Sequence, residues 1–202
     1  MSTCEKVDFF DRRARDWDKN QKKASPLKLK KIIKTADINQ GEKILDVGCG
    51  TGILLPLLKE KTGTEGTVIA LDFSANMLKK AQEKFGEKFQ YVQADVENMP
   101  LEDFYFNKII IFNSFPHFSN KKSALSEIRR VLKPGGSLLI AHDTSRKRVN
   151  SFHRKVGGAV KNDVIPNDRK MIELFKKAGF AKIKISNTQN FYSLFATKLL
   201  EE

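Results

Sequence analysis

Three glycines spaced two residues apart follow a short apolar run that carries one acidic residue, Asp46. The run spans Lys43 to Val47, and the glycines are Gly48, Gly50 and Gly52. An apolar run, a glycine turn and an amphipathic stretch predict a buried strand, a tight turn and a helix. Glycine lets bare backbone approach a ligand closely and adopts positive φ without strain. The pattern therefore predicts a turn that binds a nucleoside.

The spacing of the glycines distinguishes between classes of nucleoside ligand. A dinucleotide-binding turn reads G-x-G-x-x-G, whereas counting from Gly48 puts Ile53 at the third glycine position. The acid at the strand end attracts a cation and repels a pyrophosphate. A second apolar run, Thr67 to Asp72, ends on a carboxylate that can accept hydrogen bonds from both hydroxyls of a ribose. These residues favour a ligand with a cationic head.

The composition is that of one globular domain. The chain has 202 residues, of which 40% are hydrophobic, and this is enough for a full core. No apolar run approaches the ~20 residues of a membrane span, and the N-terminus has no signal-peptide core. The two cysteines, Cys4 and Cys49, have no zinc-ligand spacing and cannot form a disulfide framework. We therefore expect a cytoplasmic protein.

The net charge of +13 lies in two flanks of the chain. Residues 1–34 carry 11 basic and 5 acidic residues, and residues 144–202 carry 13 and 5. The block between them, residues 35–143, carries 13 and 14 and is about neutral. Two interpretations stay open: the lysines cover solvated helix faces, or they form a basic rim that faces an anionic substrate or nucleic acid.

Apolar runs that alternate with amphipathic stretches over short links predict crossover units and a parallel sheet. The alternation ends after residue 143, where a basic helix, a second helix from about 167 to 178 and two adjacent strands, 181–186 and 191–197, are predicted. The predicted fold class is therefore α/β. It is a Rossmann-like parallel sheet with helices on both faces and a terminal antiparallel strand pair.

Four features in this order and spacing resemble the class I S-adenosylmethionine-dependent methyltransferases. They are Asp46 to Gly52, Asp72, Asp95-Val96, and the run E-I-R-R-V-L-K-P-G-G from Glu127 to Gly136. The similarity covers nearly the whole chain, and it is closest to the small-molecule branch with the ubiquinone and menaquinone biosynthesis methyltransferases. The resemblance implies S-adenosyl-L-methionine as cofactor, S-adenosyl-L-homocysteine as product, and an in-line displacement that depends mainly on alignment of the acceptor.

The resemblance also implies how this chain binds the cofactor. Asp46 would interact with the amino group of the cofactor, and Asp72 would bind its ribose diol. The glycines would pass close to the methionine and ribose parts. Phe73 would pack on the adenine, Asp95 would accept from its amino group, and the Val96 backbone N–H would reach a ring nitrogen. The implied cofactor-binding set is Asp46, Gly48, Cys49, Gly50, Gly52, Asp72, Phe73, Met77, Asp95, Val96 and Asn113, the last through its backbone carbonyl.

In this family the N-terminal helix and the segment after the fifth strand form a lid that selects the substrate. The resemblance therefore implies a single methyltransferase domain over residues 1–202. Its parts are an N-terminal helical lid at 1–36, a cofactor-binding core at 37–143, and a lid helix with the C-terminal strands at 144–202. Trp17 and Phe115 are the candidate substrate-lid residues.

Three histidines fall on one side of the predicted sheet. His117 follows the fourth strand, His142 ends the fifth, and His153 lies on the next helix. Three interpretations stay open: unrelated packing residues, a general base that positions and deprotonates the substrate, or ligands of a divalent metal. Asp143 is a candidate fourth ligand or orienting partner.

The predicted function is methyl transfer to a small molecule, an anionic one if the basic flanks face it. One alternative is an RNA methyltransferase that uses those flanks as a phosphate-binding surface. The other is a non-catalytic S-adenosylmethionine-binding protein. The segment Asn113-Ser114-Phe115-Pro116-His117 lacks the Asn/Asp-Pro-Pro-aromatic clamp of enzymes that methylate exocyclic amines of bases. Its absence counts against RNA as the substrate.

Overall fold

A computed structural model describes residues 3–20 and 25–200 of the chain. Within them seven strands form one sheet: β1 Lys43–Val47, β2 Thr67–Asp72, β3 Gln90–Gln93, β4 Phe106–Phe112, β5 Leu132–His142, β6 Phe180–Thr188 and β7 Phe191–Lys198. Their order across the sheet is β3-β2-β1-β4-β5-β7-β6. Strands β1 to β5 pair in parallel, and β7 pairs antiparallel with both β5 and β6. The predicted α/β class with its terminal antiparallel pair is confirmed.

Helices cover both faces of the sheet. The α-helices of the described residues are α1 Thr3–Ala14, α2 Trp17–Asn20, α3 Pro26–Ala36, α4 Leu55–Thr62, α5 Ala75–Phe85, α6 Lys121–Val131, α7 Arg146–Val156 and α8 Asp168–Lys177. Successive side chains of a strand point to opposite faces. Ile109 of β4 accordingly packs with the apolar side chains of α6 and α8, and Ile110 packs with those of α3 and α4.

Side-chain caps set where the helices around the carboxyl edge of the sheet begin. The Ser74 hydroxyl accepts from the Met77 backbone N–H at the start of α5, and Ser25 caps α3, which has proline at its first position. The sequence predicts both starts, because Ser25-Pro26 is a typical cap with proline at the first helical position and Ser74 is a capping residue shortly after a predicted strand. Helix α5 follows the end of β2 directly, so its first turn lies at the carboxyl edge of the sheet.

The apolar stripe of Phe10, Ala14 and Trp17 predicts one helix over residues 5–18, but the N-terminal segment forms two helices. Helix α1 ends at Ala14 and α2 begins at Trp17, with a turn between them. In one straight helix, Phe10 and Trp17 would be separated by a rise of about 10.5 Å along the axis. Because the helix is interrupted between them, their side chains pack together, with 5.7 Å between the ring centroids.

Two further differences lie in the second half of the chain. The spacing of four residues predicts that one face of α7 is shared by Val149, Phe152, His153 and Val156. This face is only half covered, because Phe152 and Val156 are 56% and 40% exposed. Strand β5 begins at Leu132 rather than after the Pro-Gly-Gly turn, since it pairs with β4 across an irregularity between Phe106 and Lys108. Over residues 3–20 and 25–200, no helix combines the length and the apolar character needed to cross a membrane.

Candidate functional site

A cavity of about 900 Å³ opens where β1, β2, β4 and β5 end. This volume is near the upper end for a single small-molecule site, so the cavity has room for a cofactor and a second small molecule. Ten of the eleven predicted cofactor-binding residues line the cavity, and Gly52 is the exception. All three histidines line it as well, so the fold brings together the two sets of residues that the sequence singled out.

The three glycines of the turn serve different purposes. All have positive φ, at +67° for Gly48, +54° for Gly50 and +83° for Gly52. A Cβ at Gly48 would lie 2.4 Å from the Ser114 Oγ, and one at Gly52 would lie 2.9 Å from the Phe85 ring. A Cβ at Gly50 would meet no atom within 4 Å among the described residues. Gly48 and Gly52 are therefore required by packing, whereas Gly50 presents bare backbone to the cavity.

Asp46 is a buried acid with an unused oxygen. It is 2% exposed, and its Oδ2 has no hydrogen-bond partner among the described residues. Burial, and then the nearby Asp72, raises the pKa of Asp46 to about 7. A buried carboxylate without a partner is unfavourable, so a cation in the cavity would stabilise it.

The Asp72 carboxylate fixes the glycine turn through a backbone hydrogen bond. Its Oδ2 accepts from the Gly50 N–H at 2.8 Å, and its Oδ1 accepts from the Ser74 N–H at 2.9 Å. Burial raises the pKa of Asp72 to about 6, although these two hydrogen bonds oppose the rise. Each oxygen keeps acceptor capacity for a hydroxyl. Since the Gly50 N–H is already bonded, it does not face a phosphate as the amides of a phosphate-binding turn do.

The other predicted cofactor residues lie around the same cavity. Asp95 and Phe73 are half-buried, and Met77 is 2% exposed. The Asp95 carboxylate accepts from the Glu97 N–H at 2.9 Å. Cys49 is buried, and it lines the cavity with Val96. Asn113 has a φ of +56°, which turns the chain at the end of β4.

The three histidines lie close together in the cavity wall. The His117 and His153 ring centroids are 4.8 Å apart. His142 is 2% exposed, and its Nε2 has no hydrogen-bond partner among the described residues. Burial, and then the other two histidines, lowers the pKa of His142 to about 3, so it is neutral at physiological pH. No group of three or more His, Cys, Asp or Glu in the described ranges is placed to hold a metal ion.

The carboxylate that orients a histidine is Asp163 rather than the predicted Asp143. The His117 Nδ1 lies 2.7 Å from the Asp163 Oδ2. The Asp143 backbone instead bonds Lys28 and the Asn113 side chain. Asp163 lies in a polar loop with no neighbouring motif, and no sequence signal distinguishes it.

The N-terminal helices cover one side of the cavity. Phe10 and Trp17 line it, and the Phe10 ring packs on Phe73 at 5.6 Å between centroids. The Asp11 carboxylate accepts from the Ser74 hydroxyl. Phe115 lies elsewhere than predicted: it is fully buried in the core under α6 and α8, because its turn directs His117 to the cavity instead.

Sequence comparisons relate the chain to a methyltransferase-domain family and to proteins named demethylmenaquinone methyltransferase. A methyltransferase-domain family matches residues 45–140. The demethylmenaquinone methyltransferase of Staphylococcus epidermidis is 37% identical over 125 residues, which are 61% of this chain and 52% of that protein. That of Staphylococcus saprophyticus is 30% identical over 181 residues, with 77% of each chain covered. The chain thus spans about half the length of the first of these relatives.

The fold is shared with solved structures of low sequence identity. A crystal structure described as a SAM dependent methyltransferase from Aquifex aeolicus has a TM-score of 0.72 and is 21% identical. The alignment covers 98% of this chain and 100% of the Aquifex chain. At this identity the likeness establishes the fold alone.

Proposed function

The chain belongs to the methyltransferase-domain family, and from that premise we propose that it transfers a methyl group from S-adenosylmethionine to a small-molecule acceptor. The observation that carries the proposal is the pair of buried carboxylates, Asp46 and Asp72, beneath a glycine turn. Their charges suit a cofactor that has an ammonium and a ribose and lacks a phosphate.

The residues of the cavity fit this cofactor. The unused Asp46 Oδ2 would pair with the ammonium, and the Asp72 carboxylate would accept from the ribose hydroxyls. Phe73, with Phe10 behind it, would pack on the adenine, and Asp95 would accept from its amino group. When bound, the cofactor supplies a methyl group made electrophilic by a sulfonium. The protein aligns the acceptor and excludes water.

The acceptor would lie beside the three histidines of the cavity. Lys28 and Arg148 line the same cavity, and their charges favour an acceptor that carries an anionic group. We assign the lid role to residues 1–36 and to α7, with Trp17 over the cofactor and Phe152 over the acceptor. The relatives' names refer to a quinone precursor, which supports a small acceptor. We place the reaction in the cytoplasm.

The test uses methyl-labelled S-adenosylmethionine with the purified protein and a cell extract. RNA, protein and small-molecule fractions are then counted separately. We expect the label in the small-molecule fraction, where the product can be identified by mass. Label in RNA would overturn the small-molecule proposal in favour of a role for the basic flanks. Cofactor binding without label in any fraction would favour a non-catalytic binding protein.

Cofactor affinity is expected to rise with pH up to about pH 8, one unit above the pKa of about 7 for Asp46. In the free protein Asp46 has a pKa of about 7 and Asp72 of about 6, so both hold protons in slightly acidic solution. A bound ammonium favours the ionised Asp46, so binding at pH 6 must release a proton. Calorimetry in buffers of different ionisation enthalpy measures that release.

Asp46→Asn is the matched variant for this measurement. It cannot ionise, so it should bind the cofactor more weakly and lose most of the proton release. An affinity that is flat from pH 5 to 8 in the wild-type protein would contradict the assignment of Asp46 to the ammonium.

A further inference from the structure

His117 is held at the cavity wall by groups from three separate parts of the chain. Its Nδ1 meets the Asp163 Oδ2 at 2.7 Å, and its backbone carbonyl accepts from the Lys6 Nζ at 2.8 Å. Lys6 also bonds the Asp163 Oδ1 at 2.8 Å. The loop of Asp163 is fixed in turn, because its backbone carbonyl lies 2.6 Å from the His153 Nδ1.

We propose that His117 is the general base for the acceptor's proton, that Asp163 positions it, and that Lys6 of α1 balances the Asp163 charge. The inference rests on the proposed methyl transfer. A carboxylate only accepts hydrogen bonds, so the His117 Nδ1 carries the proton and its Nε2 keeps a lone pair. His117 lines the cavity with a side chain 14% exposed, and the proposal assigns this Nε2 to the acceptor's proton.

Burial favours the neutral imidazole of His117. Burial lowers the pKa of His117, and the hydrogen bond to Asp163 opposes this only in part. Burial raises the pKa of Asp163, but the hydrogen bonds from His117 and Lys6 outweigh it, so Asp163 is ionised. The titratable groups that act on this pair are Lys6 of α1, Lys121 of α6, His142 of β5, His153 of α7 and Glu97 through Lys121.

The proton transfer defines the class of acceptor. The acceptor atom carries a proton, as a hydroxyl or a carbon acid does. Its electron pair forms the bond to the methyl carbon, and the cofactor sulfur keeps the pair of the bond that breaks. The acceptor's proton goes to the His117 Nε2, where the Asp163 carboxylate stabilises the imidazolium, and then to solvent.

The decisive measurement is an NMR titration of the histidine Cε1–H signals, because the sequence has only three histidines. The full chain is titrated without cofactor from pH 4 to 9, and His117→Gln assigns the signal. Asp163→Asn removes the anion, so we expect the pKa of His117 to fall. Lys6→Met removes the cation, so we expect the pKa of His117 to rise. Charges at this distance move a pKa by roughly one pH unit.

The opposite directions of the two expected pKa changes distinguish this proposal from a general loosening of the fold. Loosening would hydrate His117 in both variants and raise its pKa in both. The matched controls are Asp168→Asn and Lys177→Met, which lie outside the cavity and should leave the titration unchanged. A fall in both variants, a rise in both, or no change in Lys6→Met overturns the assignment. If Asp163→Asn does not fold, Lys6→Met is compared with Lys6→Arg, which keeps the cation. The proposal expects the pKa of His117 to rise in Lys6→Met and to stay unchanged in Lys6→Arg, whereas loosening would raise it in both.

A second arm uses turnover once the acceptor is known. His117→Gln should lower kcat roughly 10²- to 10⁴-fold without changing cofactor affinity. The acid limb of the pH–rate profile should move down in Asp163→Asn and up in Lys6→Met. An active wild type with an unimpaired His117→Gln would overturn the base and leave methyl transfer intact. A wild type that transfers no methyl group would instead overturn the proposed function.

Discussion

Replacing Asp72 with alanine is expected to weaken S-adenosylmethionine binding by about 1–3 kcal/mol, or roughly 5- to 150-fold. The carboxylate accepts from the Gly50 and Ser74 N–H groups, so it shapes the turn as well as the proposed ribose site. Its loss therefore removes hydrogen bonds to the ribose and frees the turn at the same time. This is the largest binding effect that we expect from a single residue.

Folding stability should change much less than binding. Removal of Asp72 leaves two N–H groups without their acceptor, which destabilises the protein. It also removes a buried acid whose pKa is raised to about 6, and this stabilises the protein near neutral pH. The two effects oppose each other.

Calorimetry and urea unfolding on the same preparation separate the two effects. Glu173→Ala, on the exposed face of α8, is the control and should bind as the wild type does. Wild-type affinity in Asp72→Ala would refute the ribose assignment.

Replacing Gly48 with alanine is expected to destabilise the protein by about 2–5 kcal/mol. The left-handed φ of +67° costs a residue with a Cβ about 1–2 kcal/mol. The new Cβ would also lie 2.4 Å from the Ser114 Oγ, and overpacking of this kind costs about 1–3 kcal/mol. Ser114 cannot move freely, because its hydroxyl donates to the Val47 carbonyl at 2.9 Å.

Gly50→Ala is the matched control for the backbone contribution. Its φ is +54°, but its Cβ would meet no described atom within 4 Å, so it should cost only about 1–2 kcal/mol. Ser114→Gly removes the clash but also the hydrogen bond to Val47, so Gly48→Ala is also measured in the Ser114→Gly background, where the steric part of its cost should be absent. Urea unfolding of the five proteins measures each contribution. Equal losses in Gly48→Ala and Gly50→Ala would contradict the steric argument.

Most of the fold could be predicted from local patterns. Strand β2 and the start of α3 agree residue for residue with the prediction, because buried apolar runs and a Ser-Pro cap are local signals. The break between α1 and α2 was not predicted, since it depends on the packing of Trp17 against Phe10. The exposure of Phe152 was not predicted either. Hydrophobic periodicity predicts which residues share a helix face, but it does not predict whether another element covers that face.

The sequence by itself determined the family, and it brought together the residues of the proposed cofactor site. Asp46 to Gly52 is one continuous strand and turn, and parallel pairing of β1 with β2 brings Asp72 beside it. Ten of the eleven predicted residues consequently share one cavity. The family resemblance, which rested on these motifs, was confirmed by the comparisons.

Only the tertiary structure decided the acceptor half. His117 and Asp163 lie 46 residues apart, and Lys6 and Asp163 lie 157 apart. No motif links them, and adjacency in sequence favoured Asp143 instead. Contacts between distant elements depend on how the N-terminal helix and the loop after α7 pack on the sheet. That packing places Asp163, an acid in the basic flank of residues 144–202, beside His117. Local sequence patterns do not predict this contact.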